Sequence, residues 1–546
     1  MKIRTLTLHH PASSMKWYDA GLWTTDTFYG LLALHAEQRP EAFALRDAQR
    51  RLTWAELQTR VDDMSVRLRA LRLRPGSRVS LLMSNRVEAV ISALAAVREG
   101  LVVNPSLHRD FAAVEVGDLL QRLDAKVLVL EPGYGADRAR DLADHLRQCM
   151  PGIHIEELPQ QRMFVQDPML AEQGDPPPDD PDAVAYLAFT SGTTGLPKGV
   201  MHSQNTLLAN ARDMVAAWGV DETKSILCLG PSSHHIFWVG VCQALIVGAE
   251  FILNDPPEGA STLGWVCDTE ATYLMGVPTH AVDLLAEQRS RGLERLGKVE
   301  VLYMAGAPIP PALAAGLLTQ GIKPQNVYGM TENSSHNFTR PADSPETISN
   351  TCGQPGRSYE LKIVSTEDPD VSVSQGTVGE IAGRGACLML GYFSDQQATE
   401  RSFNSDGWFL SGDLGRVDEG GNLEVVGRIK DVIIRGGHNI YPARIEDLAH
   451  GHEKVLGAAA VAIPDSRLGE KVCLAITAVP GQSLKADEIL EHLAASGLPV
   501  TSMPEFYLPM NEFPRTGSGK ILKRRIQEMI ATGDAKPMPC RYRESS

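Results

Sequence analysis

Residues 186–199 read Tyr186-Leu-Ala-Phe-Thr190-Ser191-Gly192-Thr193-Thr194-Gly195-Leu196-Pro197-Lys198-Gly199. An apolar, strand-like run passes directly into a loop dense in hydroxyls, with two glycines and one lysine. Glycine lets the backbone curl with its N–H groups turned inward, and the hydroxyls and ammonium add further donors. Together they make a cradle for phosphate oxygens. The spacing of the second glycine and the lysine is not that of a Walker A loop. The competing reading is a plain surface hairpin, which does not account for so many donors after a buried-looking strand.

The elements that must position this loop alternate between strand and helix. Thr53-Trp54-Ala55-Glu56 has capping-box spacing and predicts a helix to about Leu71. Strand-like runs at Arg78–Met83 and Ala125–Leu130 flank a helical run over Arg86–Arg98, and Ala183–Phe189 reads as a further strand. This alternation predicts an α/β fold with mostly parallel strands. The acidic, proline-rich stretch 174–182 reads as a connector dividing two α/β subdomains. Clustered glycines after about residue 376 predict a small β-rich subdomain over about 340–427. Beyond it, strands at Val455–Ile463 and Val472–Val479 and helices at Ala486–Ala495 and Ile521–Ile530 fit a small α/β domain. The expected plan is therefore a large N-terminal domain over 1–427, a hinge at 428–431 and a mobile C-terminal lid over 432–546.

At 546 residues the chain exceeds one hydrophobic core. Lys plus Arg is 52 against 67 Asp plus Glu, a net charge of −15, which argues against a dedicated binder of nucleic acid or anionic membrane. A small anionic ligand is not excluded, because a local cationic site is screened from the distant surface over about 8 Å. The eight cysteines form no C-x-x-C pair and read as reduced thiols. No N-terminal apolar stretch has the length of a signal peptide, and the most apolar run, Val239–Ala249, is far short of the ~20 residues of a membrane span. A cytoplasmic protein is expected. Neither a G-x-S-x-G elbow nor a G-x-G-x-x-G fingerprint is present to support a hydrolase or a dehydrogenase.

The loop at 190–198 resembles the phosphate-binding signature of the adenylate-forming superfamily, which includes acyl-CoA synthetases, adenylation domains of peptide synthetases and luciferases. Further segments follow in that superfamily's order. Pro231-Ser232-Ser233-His234-His235-Ile236-Phe237-Trp238 resembles the segment that brings a histidine and an aromatic wall to the carboxylate substrate. His234 fits the spacing better and His235 is a close rival. Val301-Leu-Tyr-Met304-Ala305-Gly306-Ala307-Pro308 resembles the turn that lies against adenine and the acyl pocket. In Asn326-Val327-Tyr328-Gly329-Met330-Thr331-Glu332, the resemblance implies stacking of Tyr328 on adenine, backbone contact at Gly329 and an α-phosphate contact from Thr331. Glu332, with Thr190, would hold Mg²⁺, a hard cation that prefers carboxylate and phosphate oxygens.

Asp413 is the implied ribose ligand, Arg428 a second ribose or phosphate contact, and Lys430 the hinge residue. Arg435-Gly436-Gly437-His438 resembles the loop that admits the pantetheine arm of coenzyme A, and Lys520, after a flexible glycine loop, matches the family's mobile lysine. Arg444 stands where the family commonly has glutamate, which bears on the choice of thiol acceptor. The nucleotide set implied is Thr190, Ser191, Gly192, Thr193, Thr194, Lys198, Gly306, Ala307, Pro308, Asn326, Tyr328, Gly329, Met330, Thr331, Asp413, Arg428 and Lys520. The acyl pocket implied is His234, His235, Phe237, Trp238, Met304, Gly306, Gly329 and Met330. A medium-chain, aromatic or alicyclic acid suits these walls better than acetate. The resemblance implies ATP-dependent conversion of the acid to acyl-AMP and then to a CoA thioester. The alternative is an adenylating enzyme that loads a carrier-protein pantetheine or stops at acyl-AMP.

Overall fold

The computed structural model describes residues 11–138, 141–158, 176, 179–190, 197–307, 309–515 and 521–542. Two large, mainly parallel sheets share one central layer of helices. The seven-stranded sheet includes Arg78–Leu82, Val102–Asn104, Ala125–Leu130, Val184–Thr190 and Lys198–Ser203. The nine-stranded sheet includes Phe43–Arg46, Ser225–Cys228, Glu250–Leu253, Tyr273–Gly276, Val301–Ala305, Lys323–Met330 and Ser334–Phe338.

Side-chain periodicity explains the layering. In the helix Val87–Arg98 every residue from Val87 to Val97 is buried, which only a helix enclosed on all sides permits. The helix His235–Val247 is similarly apolar around its circumference. Both lie in the core between the sheets, with Trp54–Ala70 and Gln204–Trp218. Outer helices are one-sided: Ala113–Leu123 buries Val116, Leu119, Leu120 and Leu123. From Tyr186 onward the strand Val184–Thr190 divides its residues by parity. Tyr186 and Ala188 enter the central core, while Leu187 and Phe189 enter the outer one.

The capping box forms as expected: Glu56 N–H donates to Thr53 Oγ1 at 3.3 Å, Thr53 N–H donates to Glu56 Oε2 at 2.9 Å, and the helix spans Trp54–Ala70. The expected division at 174–182 differs from the observed one. Val103 pairs with Tyr186, so the strand after the connector continues the first sheet, and Leu45 pairs with Phe251, so the N-terminal hairpin edges the second. A bidentate ion pair from Arg51 to Glu250, at 2.7 and 2.8 Å, secures that edge. Non-local pairing, not the proline-rich stretch, partitions the two sheets.

A four-stranded antiparallel sheet spans Tyr359–Arg428. A one-turn helix at Ile429–Asp431 follows, and then a mixed sheet that includes Ile433–Arg435, Val455–Asp465, Gly469–Ala478 and Phe506–Met510. The helices Ala486–Ala495 and Lys523–Thr532 accompany this last sheet. Among the described residues no helix is long and apolar enough to cross a membrane.

Candidate active site

Ligands in parallel α/β sheets lie beyond the carboxyl ends of the strands, and the loop at 190–198 begins at such an end. Thr190 pairs with Lys198 across antiparallel strands. Ser191, Gly192, Thr193 and Thr194 lie outside the described residues, as do Pro308 and Lys520. Lys198 Nζ sits 4.4 Å from the centroid of the Tyr392 ring, and the Tyr392 hydroxyl donates to Glu332 Oε1 at 2.9 Å. The short strand Gly391–Tyr392 pairs with Val200 and Met201, which fixes this tyrosine beside the lysine's own strand.

Glu332 is 9% exposed. Burial raises its carboxyl above the usual carboxylate value, opposed by the Tyr392 hydrogen bond and by the charges of Lys198 and Arg428. Two contacts grip the adjoining backbone: Met389 N–H donates to the Glu332 carbonyl at 2.7 Å, and His202 Nε2 donates to the Thr331 carbonyl at 2.6 Å. His202 is fully buried, which pushes its imidazole down to about 4. It is therefore neutral at pH 7, and its single proton is on Nε2 because a carbonyl can only accept.

In the four-stranded sheet, Asp413 pairs with Arg428 across two antiparallel strands. Arg428 Nε lies 3.0 Å from Asp413 Oδ1, and the Tyr328 hydroxyl donates to Oδ2 at 2.9 Å. Each carboxylate oxygen keeps a further lone pair for a hydroxyl donor. Tyr328 is 8% exposed and meets His336 edge-on at 5.3 Å. A Cβ placed on Gly329 would lie 1.7 Å from the Ser334 carbonyl oxygen. The hairpin's own close approach thus demands glycine there, whatever the substrate contact. Gly306, with φ +85°, and Ala307 are exposed at the carboxyl end of Val301–Ala305, open to a ligand.

Several expected acyl and nucleotide residues stand elsewhere. Met304 is buried with Leu302 in the outer core, on the opposite face of its strand from Tyr303 and from Phe237 and Trp238 in the central core. Strand alternation makes the two faces exclusive. Phe237 is fully buried, edge-to-face with Phe251 at 5.0 Å, so it is core and not an open wall. Trp238 is also buried, its indole N–H donating to the Ser232 carbonyl at 2.8 Å. Asn326 donates its amide N–H groups to the carbonyls of Ile348 and Thr351 at 3.0 and 2.9 Å, which braces the strand and leaves its Oδ1 as an acceptor. Met330 is half-buried between two small clusters.

The two adjacent histidines have separate surroundings. His235 holds Tyr186 Oη at 3.2 Å and Ser334 Oγ at 3.0 Å, and stacks on His202 at 5.5 Å. His234, the N-cap of the helix His235–Val247, has no side-chain hydrogen bond among the described residues and stacks on His108 at 4.6 Å. Of the pair, His234 is the one left available to a ligand.

Near the C-terminus, Gly436 and Gly437 have φ of +58° and +85° and form a two-residue turn between Ile433–Arg435 and His438–Ile440. Two successive positive φ values define the hairpin turn that glycine favours. The tip is exposed, with His438 beside it, while Arg435 is held by Glu505 at 3.0 Å. Lys430 is exposed within the one-turn helix.

Motif reading missed Tyr392, His202, His108 and His280. His202 was detectable in principle, since Lys198 and His202 share parity on one strand and hence one face. Tyr392 had no such signal, because it meets Glu332 across 60 positions.

The folded chain thus brings Lys198, the buried carboxylate of Glu332 and an Asp413–Arg428–Tyr328 group together beside the carboxyl ends of parallel strands, an arrangement suited to a nucleotide. The chain belongs to the family of AMP-binding enzymes, whose model matches residues 32–393, with the AMP-binding enzyme C-terminal domain matching 444–520. It is 31% identical over 541 residues to the salicyl-AMP ligase / salicyl-S-ArCP synthetase of Mycobacterium tuberculosis, covering 95% of this chain and 94% of that protein. It is 28% identical over 521 residues to the medium-chain fatty-acid–CoA ligase of Escherichia coli, covering 93% and 91%. Among solved structures, ATP-bound MatB from Rhodopseudomonas palustris matches with a TM-score of 0.81 at 25% identity, covering 92% of this chain and 99% of that one. These relatives place the chain among the acid–thiol ligases that work through an adenylate.

Proposed function

We propose that this protein activates a ring-bearing or medium-chain carboxylic acid with ATP and transfers the acyl group to coenzyme A. The observation that carries this reading is convergence on Glu332: Tyr392 bonds it, Lys198 lies against Tyr392, and Lys198 and Arg428 both act on its charge. A carboxylate is a poor electrophile, because its charge is delocalised and its leaving group would be oxide. Attack of a carboxylate oxygen on the α-phosphorus breaks the bond to the departing pyrophosphate and leaves acyl-AMP. Negative charge builds on the phosphate oxygens, where a donor-rich loop and fixed cations lower the barrier.

In this reading Thr190–Lys198 cradles the phosphates, Thr331 contacts the α-phosphate, and Asp413 and Arg428 hold the ribose. Gly306 and Ala307 border the adenine and acyl side, and His234 orients the acid's carboxylate. The buried carboxylate of Glu332 fits a hard divalent cation, which prefers such oxygens. Mg²⁺ bound by Glu332 and Thr190 would neutralise charge on the phosphate oxygens. Lys520 serves adenylation, the turn at Gly436–Gly437 serves thiol entry, and rotation about Lys430 exchanges them. The thiol sulfur then bonds the acyl carbon, AMP leaves and the thiol proton passes to solvent. Eight free cysteines support a reducing, cytoplasmic setting.

The test is pyrophosphate release from ATP across a panel of acids, with and without coenzyme A. Acid-dependent release followed by thioester formation is expected, and the absence of release with every acid would refute the reading. The salicyl-AMP relative, named also for loading a carrier protein, favours a second acceptor. Parallel assays with free coenzyme A and with a pantetheinylated carrier protein distinguish the two.

A further inference from the structure

Three histidines that no motif predicts together meet at the edge where the acid would lie. His108 follows the strand Val102–Asn104, His234 follows Ser225–Cys228, and His280 follows Tyr273–Gly276, so all three stand just past the carboxyl ends of parallel strands. Two of those strands belong to the nine-stranded sheet and one to the seven-stranded sheet, which puts the group at the seam between them. The His108 and His234 rings stack at 4.6 Å with a 27° interplanar angle, and His280 is near enough that protonating both it and His234 is disfavoured. Val277, which flanks His280, is also the nearest neighbour of the space beside Gly306.

Each ring is half-buried, and burial lowers the basicity of all three, to about 3 for His234. Asp110 opposes this at His108 and Asp283 at His280. The group is therefore a set of neutral imidazoles at pH 7. Val277 N–H donates to His280 Nδ1 at 3.3 Å, so the proton of the neutral ring is on Nε2. His108 Nδ1 shares a hydrogen bond of 2.9 Å with Ser233 Oγ. Among the described residues, Nε2 of His108, Nε2 of His280 and both nitrogens of His234 have no hydrogen-bond partner.

We propose that His108, stacked on His234, and His280, past the end of the neighbouring strand, are specificity residues that read a carbonyl or hydroxyl oxygen on the body of the acid, so that the enzyme selects oxygenated acids over plain hydrocarbon ones. This rests on the acid-activating function above. A neutral imidazole N–H presented to a saturated chain loses its water without gaining a partner, whereas a ketone or hydroxyl oxygen restores one. A site built to hydrogen-bond its substrate rejects the analogue lacking that group far more strongly than an apolar pocket rejects an extra methylene.

The experiment uses matched acids that differ by one oxygen: cyclohexanecarboxylate and its ring ketone, cinnamate and its para-hydroxy derivative, and hexanoate and its keto derivative. Pyrophosphate release is measured for the full-length enzyme and for His108→Leu, His280→Leu and His280→Gln. The unaltered enzyme should favour the oxygenated member of at least one pair by about tenfold or more in kcat/KM. Both leucine variants should bring that ratio to within about twofold, chiefly through KM for the oxygenated acid, with KM for ATP unchanged. His280→Gln, which retains an N–H donor, should recover part of the ratio. Equal use of both members of every pair by the unaltered enzyme would overturn the proposal without recourse to any variant. So would leucine variants that slow all acids alike while the ratio persists. No release with any acid would instead sink the acid-activating function itself.

Discussion

Gly329→Ala separates two explanations of a glycine in the middle of the site. The added methyl would lie 1.7 Å from the Ser334 oxygen, 2.8 Å from its carbonyl carbon and 3.1 Å from Ser335 Cα. All three atoms are backbone, so no side-chain rotation relieves the clash and the hairpin must part. Forcing one carbon into a packed site costs about 1–3 kcal/mol, and the backbone obstacle puts this case at the upper end. Unfolding entropy of about 2.1 cal/mol/K per residue makes each kcal/mol worth about 1.3 °C for a domain spanning residues 32–393, so the melting temperature should fall by roughly 4 °C. The same hairpin carries Tyr328 toward Asp413 and leads into Thr331–Glu332. Its displacement should lower kcat as well, by about 10²-fold for a shift of about 1 Å. Thermal melting followed by pyrophosphate release, with the exposed turn variant Gly437→Ala as a comparison, gives both numbers. A Gly329→Ala protein that melts like the parent and suffers only a higher KM for the acid would refute the packing argument and leave substrate contact as the reason for glycine.

Glu332→Gln tests the buried carboxyl. Because burial raises its folded value, the folded state binds the proton more tightly, and ionisation costs stability as pH rises from the unfolded value near 4.3 through the raised one. The glutamine variant should therefore melt above the parent at pH 7–8, with the gap closing below about pH 4, while pyrophosphate release falls by about 10²-fold. A lower melting temperature at pH 8 would contradict this sign. His202→Leu removes the donor to the Thr331 carbonyl and should destabilise the fold by about 1–3 kcal/mol in urea unfolding, with kcat falling more than KM for ATP. Lys520→Ala should slow adenylation by about 10²-fold or more while sparing thioester formation from pre-made acyl-AMP, and equal loss in both half-reactions would contradict the exchange of roles between lid positions.

Local chemistry was readable in the sequence, and partnership across the sheets was not. Thr53 and Glu56 cap each other within one turn, so their spacing alone specifies the helix start. The strand read at Ala183–Phe189 was recognisable from its unbroken apolar run, yet nothing near it names Val103 as its neighbour. The same limit explains Met304: alternation says that it faces with Leu302 and away from Tyr303, but which face meets the helices that carry Phe237 is decided by strands far away. Asn326 falls within a motif whose order is informative, and still its amide is taken by Ile348 and Thr351, whose carbonyls only the fold brings near. Polar pairs that bridge distant segments, such as Tyr392 with Glu332 and His108 with His234, are invisible until the chain is folded.

The pairing of Phe43–Arg46 with Glu250–Leu253 has a consequence for how the chain is made. Arg51 waits for Glu250 across 199 positions, an interval of roughly 10–40 s at ordinary ribosomal speeds of about 5–20 residues per second. Throughout that delay the nascent amino-terminal hairpin has an open β edge and an uncovered apolar face, exposed to any passing strand. Proteolytic nicking at the proline-rich connector, once synthesis is complete, should leave two pieces that stay associated, whereas the same pieces expressed apart should each be short of a sheet neighbour.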